Sequence, residues 1–206
     1  VSLTSKGLLR TAVYERLLQD MEEGTIAPGE FVTLAALSEA LDISRTPLRD
    51  ALLELQVEGF VTLYPQRGVM INQLSEADKH YLYEISGLLE ARSIHNVFSK
   101  ISGRHIRRMK EINDLMQPDL PELSSITYNK HNTAFHNVYL ELEPNPFMKK
   151  MLLNNRMLLF QFAARDWGEE FCWTNYNEHK KIIELFESGT AEELSEYVGK
   201  VHWSFN

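Results

Sequence analysis

One cysteine, Cys172, occurs in 206 residues. That excludes an internal disulfide framework and fits a reducing cytoplasm. The thiol reads as a small buried hydrophobe rather than a nucleophile. No run approaches the ~20 apolar residues needed to cross a bilayer, and the N-terminus carries no signal-peptide pattern, so a cytoplasmic chain without a membrane partner is expected. Excess positive charge is lacking as well: 21 Lys and Arg stand against 29 Asp and Glu, a formal net charge of −8. This argues against a protein that coats nucleic acid unselectively. There is no Gly-rich phosphate loop, no supported Ser-His-Asp arrangement and no CxxC metal pair, and no internal repeat or low-complexity segment. What remains is an ordinary globular composition, 44% hydrophobic and 24% charged, with a length suited to one large domain or two small ones.

Against that background the segment Ser44-Arg45-Thr46-Pro47-Leu48-Arg49-Asp50-Ala51-Leu52 stands out. It follows the short helical run Leu34 to Leu41, with only Asp42-Ile43 between them. Two helices joined by so tight a turn have the plan of a helix-turn-helix, whose second helix fits a DNA major groove. Arg45 and Arg49 share one face of that helix, while Leu48, Ala51, Leu52 and Leu55 fall at apolar helical spacing on the other. Guanidinium groups so placed suit guanine edges or phosphates. Residues 1–75 nevertheless carry 6 Lys and Arg against 10 Asp and Glu. Binding would have to rest on a few placed arginines and helix N-termini, doubled by a dimer.

Periodicity and turn signals extend this motif in both directions. A first helix is predicted from Gly7 to Glu23, with Leu9, Val13, Leu17 and Met21 on one stripe. Pro28-Gly29 turns into a short extended piece, Glu30 to Val32. Phe60 to Tyr64, the turn Pro65-Gln66-Arg67-Gly68, and Val69 to Asn72 read as a hairpin. Its tip holds Arg67 beside a glycine that would let the backbone approach another surface. These parts make a winged helix-turn-helix over residues 1–74. Ser75 and Asp78 form an N-cap signature that opens a second domain, 75–206. Helices are predicted near 76–99, 103–116, 122–142, 146–167, 174–187 and 191–204, giving a mainly α chain with a C-terminal all-α bundle of six or seven helices.

The second domain holds the remaining chemistry. Asn132 and His136 are an i, i+4 pair, His179 lies near the start of a later helix and His202 near the end of the last. Three imidazoles and one amide oxygen facing a cavity would hold a divalent transition metal and leave coordination sites open. The chain has 7 histidines, so spacing does not prove convergence, and scattered core or surface histidines remain the alternative. His131, His80 and His105 read as exposed, Arg107-Arg108 with Lys110 as a solvated basic face, and Trp167, Trp173, Trp203, Phe160 and Phe162 as core.

Taken together, these features resemble the GntR superfamily of bacterial transcription regulators, in its FadR-like branch. The likeness rests on Gly24-Thr25-Ile26-Ala27-Pro28-Gly29, Leu37 to Leu41, Ser44 to Leu52, Glu58-Gly59 and Gln66-Arg67-Gly68. In the second domain it rests on Glu84-Ile85 with Leu89-Glu90, Asn132-x-x-Phe135-His136, Asn145-Pro146, Glu178-His179 and His202. The resemblance implies a sequence-specific, metabolite-responsive DNA-binding regulator rather than an enzyme. A homodimeric repressor on a palindromic double-stranded operator is expected, in the bacterial cytoplasm and on the nucleoid when bound. The DNA-contact candidates are Ser44, Arg45, Thr46, Arg49, Arg67 and Gly68. The metal candidates are Asn132, His136, His179 and His202, with zinc or nickel and a small carboxylate metabolite as ligands.

The chain departs from the family pattern in three places. Asn132 replaces an acidic ligand, which weakens metal affinity and leaves the ion's full charge for a dianionic or trianionic effector. His179 and His202 are 23 residues apart, one more than the resemblance implies, which an extra residue in the Ser188 to Thr190 turn would absorb. Ser86 stands where many members carry arginine, and Ala35-Ala36 where some carry a DNA-contacting arginine, so effector and operator do not transfer. Two rival readings are a metal-free regulator of a larger acyl ligand and a metal-dependent hydrolase. The hydrolase lacks a general base, since the one nearby carboxylate, Glu178, is expected to point elsewhere.

Overall fold

Apolar residues at helical spacing open the chain as helix α1 (Leu3–Glu22) in this computed structural model. The structure describes residues 3–120, 123–160 and 168–205, with residues 3–8 and 160 by backbone only. The chain divides into two units, Val1–Leu74 and Ser75–Asn206.

In the first unit Val13, Leu17 and Met21 bury one stripe of α1, but Leu9 is 46% exposed, so the predicted stripe starts a turn later. Strand β1 (Phe31–Val32) leads to α2 (Leu34–Ala40), whose first turn is capped by the Thr33 hydroxyl accepting from the Ala36 amide at 3.1 Å. The chain reverses at Asp42, with φ of 50°, a left-handed conformation that Asp tolerates better than most residues. The Ser38 hydroxyl donates to the Ile43 carbonyl at 2.5 Å and fixes that reversal. Helix α3 (Arg45–Val57) then buries Leu48, Ala51, Leu52 and Leu55 completely, packing on α1 and α2.

Strands β2 (Val61–Tyr64) and β3 (Gly68–Ile71) form the hairpin, and β1 adds antiparallel to β3 in the order β1-β3-β2. Pro65 and Gln66, the latter at φ of 62°, make a type II turn closed by the Arg67 amide on the Tyr64 carbonyl at 3.1 Å. Gly68 pairs with Tyr64 and is buried, with φ of 153°. A Cβ there would lie 2.4 Å from the Val32 carbonyl oxygen and 2.9 Å from Phe31 Cζ. The surface this glycine approaches is therefore the protein's own strand β1, which corrects its reading as an external contact.

The second unit begins with α4 (Glu76–Val97), capped reciprocally by Ser75 and Asp78. A 3-10 turn (Phe98–Lys100) leads to α5 (Gly103–Asp114), α6 (Ser125–Leu140), α7 (Pro146–Phe160), α8 (Glu169–Ser188) and α9 (Ala191–Tyr197). These are six α-helices, without a strand, among the described residues. Helix α8 starts five residues earlier than its periodicity predicts. The predicted helix 146–167 is described as far as Phe160, so Phe162, Trp167 and the Phe160 side chain lie outside the described residues. Among the described residues no helix is long and apolar enough to cross a membrane.

The last helix differs most from expectation. After Tyr197 it widens into a π-helical turn, Val198–His202. That turn presents His202 to His136 and His179. Close contact with α4 holds it: a Cβ on Gly87 would meet Trp203 Cβ at 2.9 Å, and one on Gly199 would meet Ala91 Cβ at 3.3 Å.

Gly68→Ala is expected to destabilise the first unit by on the order of 2–3 kcal/mol, combining backbone strain with a clash against a carbonyl. All three tryptophans lie beyond residue 74. A urea titration should therefore show an earlier transition by circular dichroism and an unchanged one by tryptophan fluorescence.

Candidate metal centre and nucleic-acid interface

Each unit concentrates one kind of chemistry. In the first, Ser44, Arg45, Thr46 and Arg49 are exposed along the start of α3, and Arg67 is exposed at the hairpin tip. Ser44 occupies the N-cap position of α3 without a side-chain cap bond, so that helix N-terminus presents amide donors to an incoming anion. Several acidic groups are engaged by partners within the unit instead. Glu54 lies 3.5 Å from Arg10, Glu58 accepts from Tyr14 at 2.5 Å, and Asp20 accepts from Arg16 at 2.8 Å. Among the described residues no ion pair engages Arg45, Arg49 or Arg67.

In the second unit His136 from α6, His179 from α8 and His202 from the π turn come together, each buried, with one ring nitrogen from each within 4.8 Å of the others. Their outer nitrogens are all held by oxygens. His136 Nδ1 lies 2.7 Å from Glu90 Oε1, His202 Nδ1 lies 2.8 Å from Glu178 Oε2, and His179 Nδ1 lies 3.1 Å from Asn113 Oδ1. Asn113 is oriented by donating its own amide to the Tyr176 carbonyl at 3.2 Å, which leaves its oxygen for His179. A carboxylate or amide oxygen only accepts, so each Nδ1 carries the proton and each Nε2 turns inward as a lone pair.

Those inward atoms lack ordinary partners. His179 Nε2 is buried without a hydrogen bond, and so is Asn132 Oδ1. His136 Nε2 faces His202 Nε2 at 3.2 Å. Two lone pairs opposed at that distance require a positive centre, either a proton carried by His202 or a metal ion. Asn132, His136 and His202 line one cavity of ≈ 690 Å3 with Lys79, Tyr83 and Glu178. The residues therefore fit a divalent ion: buried imidazole nitrogens, an orphaned oxygen, and an outer layer that fixes the tautomers.

The electrostatics support neutral imidazoles. Burial, reinforced by Arg156, lowers His136 to about 3 despite the opposing pull of Glu90. Burial, with His136 and His202 nearby, takes His179 well below its ordinary value. Burial alone would raise Glu90, but His136, Arg156 and His202 outweigh it and hold the carboxyl at about 2. Glu90 also accepts from the Tyr139 hydroxyl, and Arg156 from α7 reaches it at 3.5 Å while donating to the Asn132 carbonyl at 3.2 Å. Phe135 stacks on His179 with ring centroids 3.8 Å apart.

Sequence reasoning missed several of these residues. Glu178 does not point elsewhere; it holds His202. Glu90 figured only as part of a resemblance, and Arg156 and Asn113 went unnoticed. Their signal was a polar group in phase with a buried stripe: Glu90 follows Ser86 and precedes Ile94 and Val97, all fully buried on α4. His80 is exposed as expected, whereas His131 and His105 are half-buried, the latter bonded to the Ser102 backbone amide at 3.0 Å. Trp203 is buried beside the cavity, and Trp173 is partly buried on a cluster of Met116, Tyr128 and Tyr176.

The depressed histidines set a pH dependence. Unfolded imidazoles take up protons near 6.5, but His136 does so in the folded chain only near 3. Below 6.5 the unfolded state binds more protons, so stability present above that pH is lost as pH falls toward 3; Glu90 acts in the same direction at lower pH. With chelator present, Tm should fall steadily from pH 7 to pH 4, and His179→Gln should flatten the slope. A Tm independent of pH over that range would contradict this account.

Comparison with known proteins agrees with both units. Residues 9–71 match the family of bacterial regulatory proteins, gntR family, and residues 81–200 match the FCD domain. An uncharacterized HTH-type transcriptional regulator, YdhC of Bacillus subtilis, is 22% identical over 90% of this chain and 84% of its own length. The Nta operon transcriptional regulator of Aminobacter aminovorans is 25% identical over 83% of this chain and 80% of its own. Among solved structures, E. coli McbR/YncC superposes with a TM-score of 0.78 at 14% identity, covering 93% of this chain and 92% of that one. A Rhodococcus sp. RHA1 structure assigned to GntR transcriptional regulators gives 0.75 at 20% identity, covering 94% and 93%. These families and relatives are transcription regulators rather than enzymes. The chain belongs to the gntR family of bacterial regulatory proteins, as a transcription regulator whose N-terminal winged helix-turn-helix is followed by an FCD effector-binding domain.

Proposed function

We propose that this regulator is a homodimeric repressor that reads a palindromic operator through Ser44, Arg45, Thr46, Arg49 and Arg67. Its helical unit would hold a divalent transition metal, zinc or nickel, on His136, His179 and His202. Asn132 supplies a fourth, neutral oxygen, and a small carboxylate metabolite is the effector. The observation that carries this reading is the inward convergence of three Nε2 atoms whose opposite nitrogens are all held by acceptors. When bound, the metal would act as a Lewis-acidic anchor for the effector's carboxylate. The chain's own residues orient the imidazoles, shield the site from water and shape the cavity.

The cavity lining is rich in polar side chains, including Lys79, Asn132, Thr174, Asn175 and Glu178, which suits a small polar ligand better than a long acyl chain. Burial of Gly68 against β1 assigns it a structural part, so the DNA contact at the hairpin tip falls to Arg67. The homodimer reading has support on α4, where Tyr81, Ile85 and Leu88 are 60%, 44% and 68% exposed on one helical face. An apolar stripe of that kind favours burial against a second copy.

Two experiments test the proposal. Adding Zn²⁺ or Ni²⁺ to chelated protein should raise Tm. His179→Ala should abolish that gain and Asn132→Asp should enlarge it, because a carboxylate binds the ion more strongly than an amide. No metal-dependent stabilisation of the wild type would overturn the metal reading. For the DNA contacts, an operator selected from random duplexes should bind Arg49→Ala about 5- to 150-fold more weakly, in line with the ~1–3 kcal/mol of a bidentate arginine–guanine pair. Unaltered Tm and dimer size in that variant would separate lost contact from lost fold, and unchanged operator affinity would remove Arg49 from the interface.

A further inference from the structure

Beside His136 and His202 the cavity is lined by an aromatic cluster of Tyr83, Trp203 and Phe205. We infer that the effector is an aromatic monocarboxylate, its carboxylate facing the histidines and its ring packed on Tyr83 and Trp203. This deepens the small-carboxylate reading of the cavity and rests on it.

The chain sets the two ends of such a ligand side by side. His202 closes the π turn, Trp203 follows it directly, and Phe205 lies two residues beyond. Tyr83 meets this segment from α4. Its ring packs edge-to-face on Trp203 with centroids 5.4 Å apart, and on Phe205 at 5.2 Å. Trp203 in turn lies 6.0 Å from the His202 ring and 6.2 Å from the His136 ring. All four separations fall in the range over which aromatic rings attract one another. A carboxylate bonded directly to a ring therefore spans from the histidines to the aromatic cluster without a linker. A short aliphatic acid reaches the histidines but leaves the aromatic surface facing water, which forfeits apolar burial.

The charges select a single carboxylate. Glu90 and Arg156 neutralise each other at 3.5 Å, and Glu178 beside His202 at 2.8 Å offsets one of a divalent ion's two charges. One positive charge remains for the effector. Elsewhere the lining is matched or acidic: Lys79 pairs with Glu76, and Glu170 adds another carboxylate. A second carboxylate on the effector would meet that excess of negative charge. A ring asks only for apolar contact, which Tyr83 and Trp203 supply. This replaces the dianion-or-trianion expectation, which counted no acidic residue beside the ion.

The test uses the full chain loaded with Zn²⁺, titrated calorimetrically with acetate, succinate, cyclohexanecarboxylate, benzoate and benzylamine. Benzoate should bind about tenfold or more tightly than acetate, and severalfold more tightly than cyclohexanecarboxylate, an acid of similar size without an aromatic ring. Tyr83→Leu should erase the second advantage while leaving Zn²⁺ affinity and acetate binding at wild-type levels. Tyr83→Phe should keep it, because the ring and not the hydroxyl makes the contact. In a Trp167→Phe, Trp173→Phe chain, which retains Trp203 of the three tryptophans, saturating benzoate should quench the emission more than saturating acetate. Benzoate binding no more tightly than cyclohexanecarboxylate, equal quenching by the two acids, or a preference that survives Tyr83→Leu would overturn the aromatic assignment while acetate binding keeps the carboxylate reading. Tightest binding by succinate would overturn the single-carboxylate count, and tightest binding by benzylamine would overturn the inference by marking a cation site. Failure of every carboxylate to bind the Zn²⁺-loaded wild type would overturn the carboxylate reading and, with it, this inference.

Discussion

Three imidazole N–H groups, each caught by an oxygen acceptor, determine where the other three ring nitrogens must lie. The acceptors come from different helices: Glu90 from α4, Asn113 from α5 and Glu178 from α8. Satisfying them ties the bundle together around one point. Glu90 carries the largest share, because it meets His136 and Tyr139 of α6 and Arg156 of α7. A buried carboxylate is costly unless it is paired and hydrogen-bonded, and here α6 and α7 both contribute partners. The same contacts that offset its burial also turn His136 Nε2 inward, so packing and the orientation of that ring are set by one group of bonds.

The π turn belongs to this constraint. Continued as an ordinary α-helix past Tyr197, the chain would turn about 100° per residue and carry His202 to a different face. Widening the turn returns the imidazole to Glu178 and His136, at the expense of regular hydrogen bonding. The close packing of Gly87 and Gly199 keeps the widened turn against α4, and the Ser195 hydroxyl adds a bond to the Ala91 carbonyl at 2.8 Å.

What was legible in the sequence follows from how local each signal is. The helix-turn-helix, the hairpin and the capped start of α4 rest on neighbours within a few residues, so periodicity and turn residues announce them. His136, His179 and His202 stood out as residue types, but their meeting depends on three elements distant in sequence. Glu178 was expected to point elsewhere because the spacing along α8 does not show that His202, from a distant element, lies beside it. Leu9 was misplaced because apolar spacing does not report where the opposing surface ends. Gly68 was read as a contact because a sequence does not reveal that β1 pairs with β3 behind it.

The acidic character of the first unit, which stood against DNA binding at the sequence level, is answered by where the charges point. Glu54, Glu58 and Asp20 engage Arg10, Tyr14 and Arg16, so part of the negative charge is neutralised or hydrogen-bonded close to the α1–α3 contact. Arg45, Arg49 and Arg67 remain exposed and outside any ion pair among the described residues. At physiological ionic strength the screening length is about 8 Å, so a phosphate or base edge touching these guanidinium groups senses them far more than the unit's net charge. A unit of net negative charge also supplies no long-range attraction toward arbitrary DNA. An acidic domain with a few unpaired arginines therefore gains discrimination where a basic one would gain affinity for any sequence. That balance suits a regulator whose occupancy of one operator must answer to a small change in binding free energy.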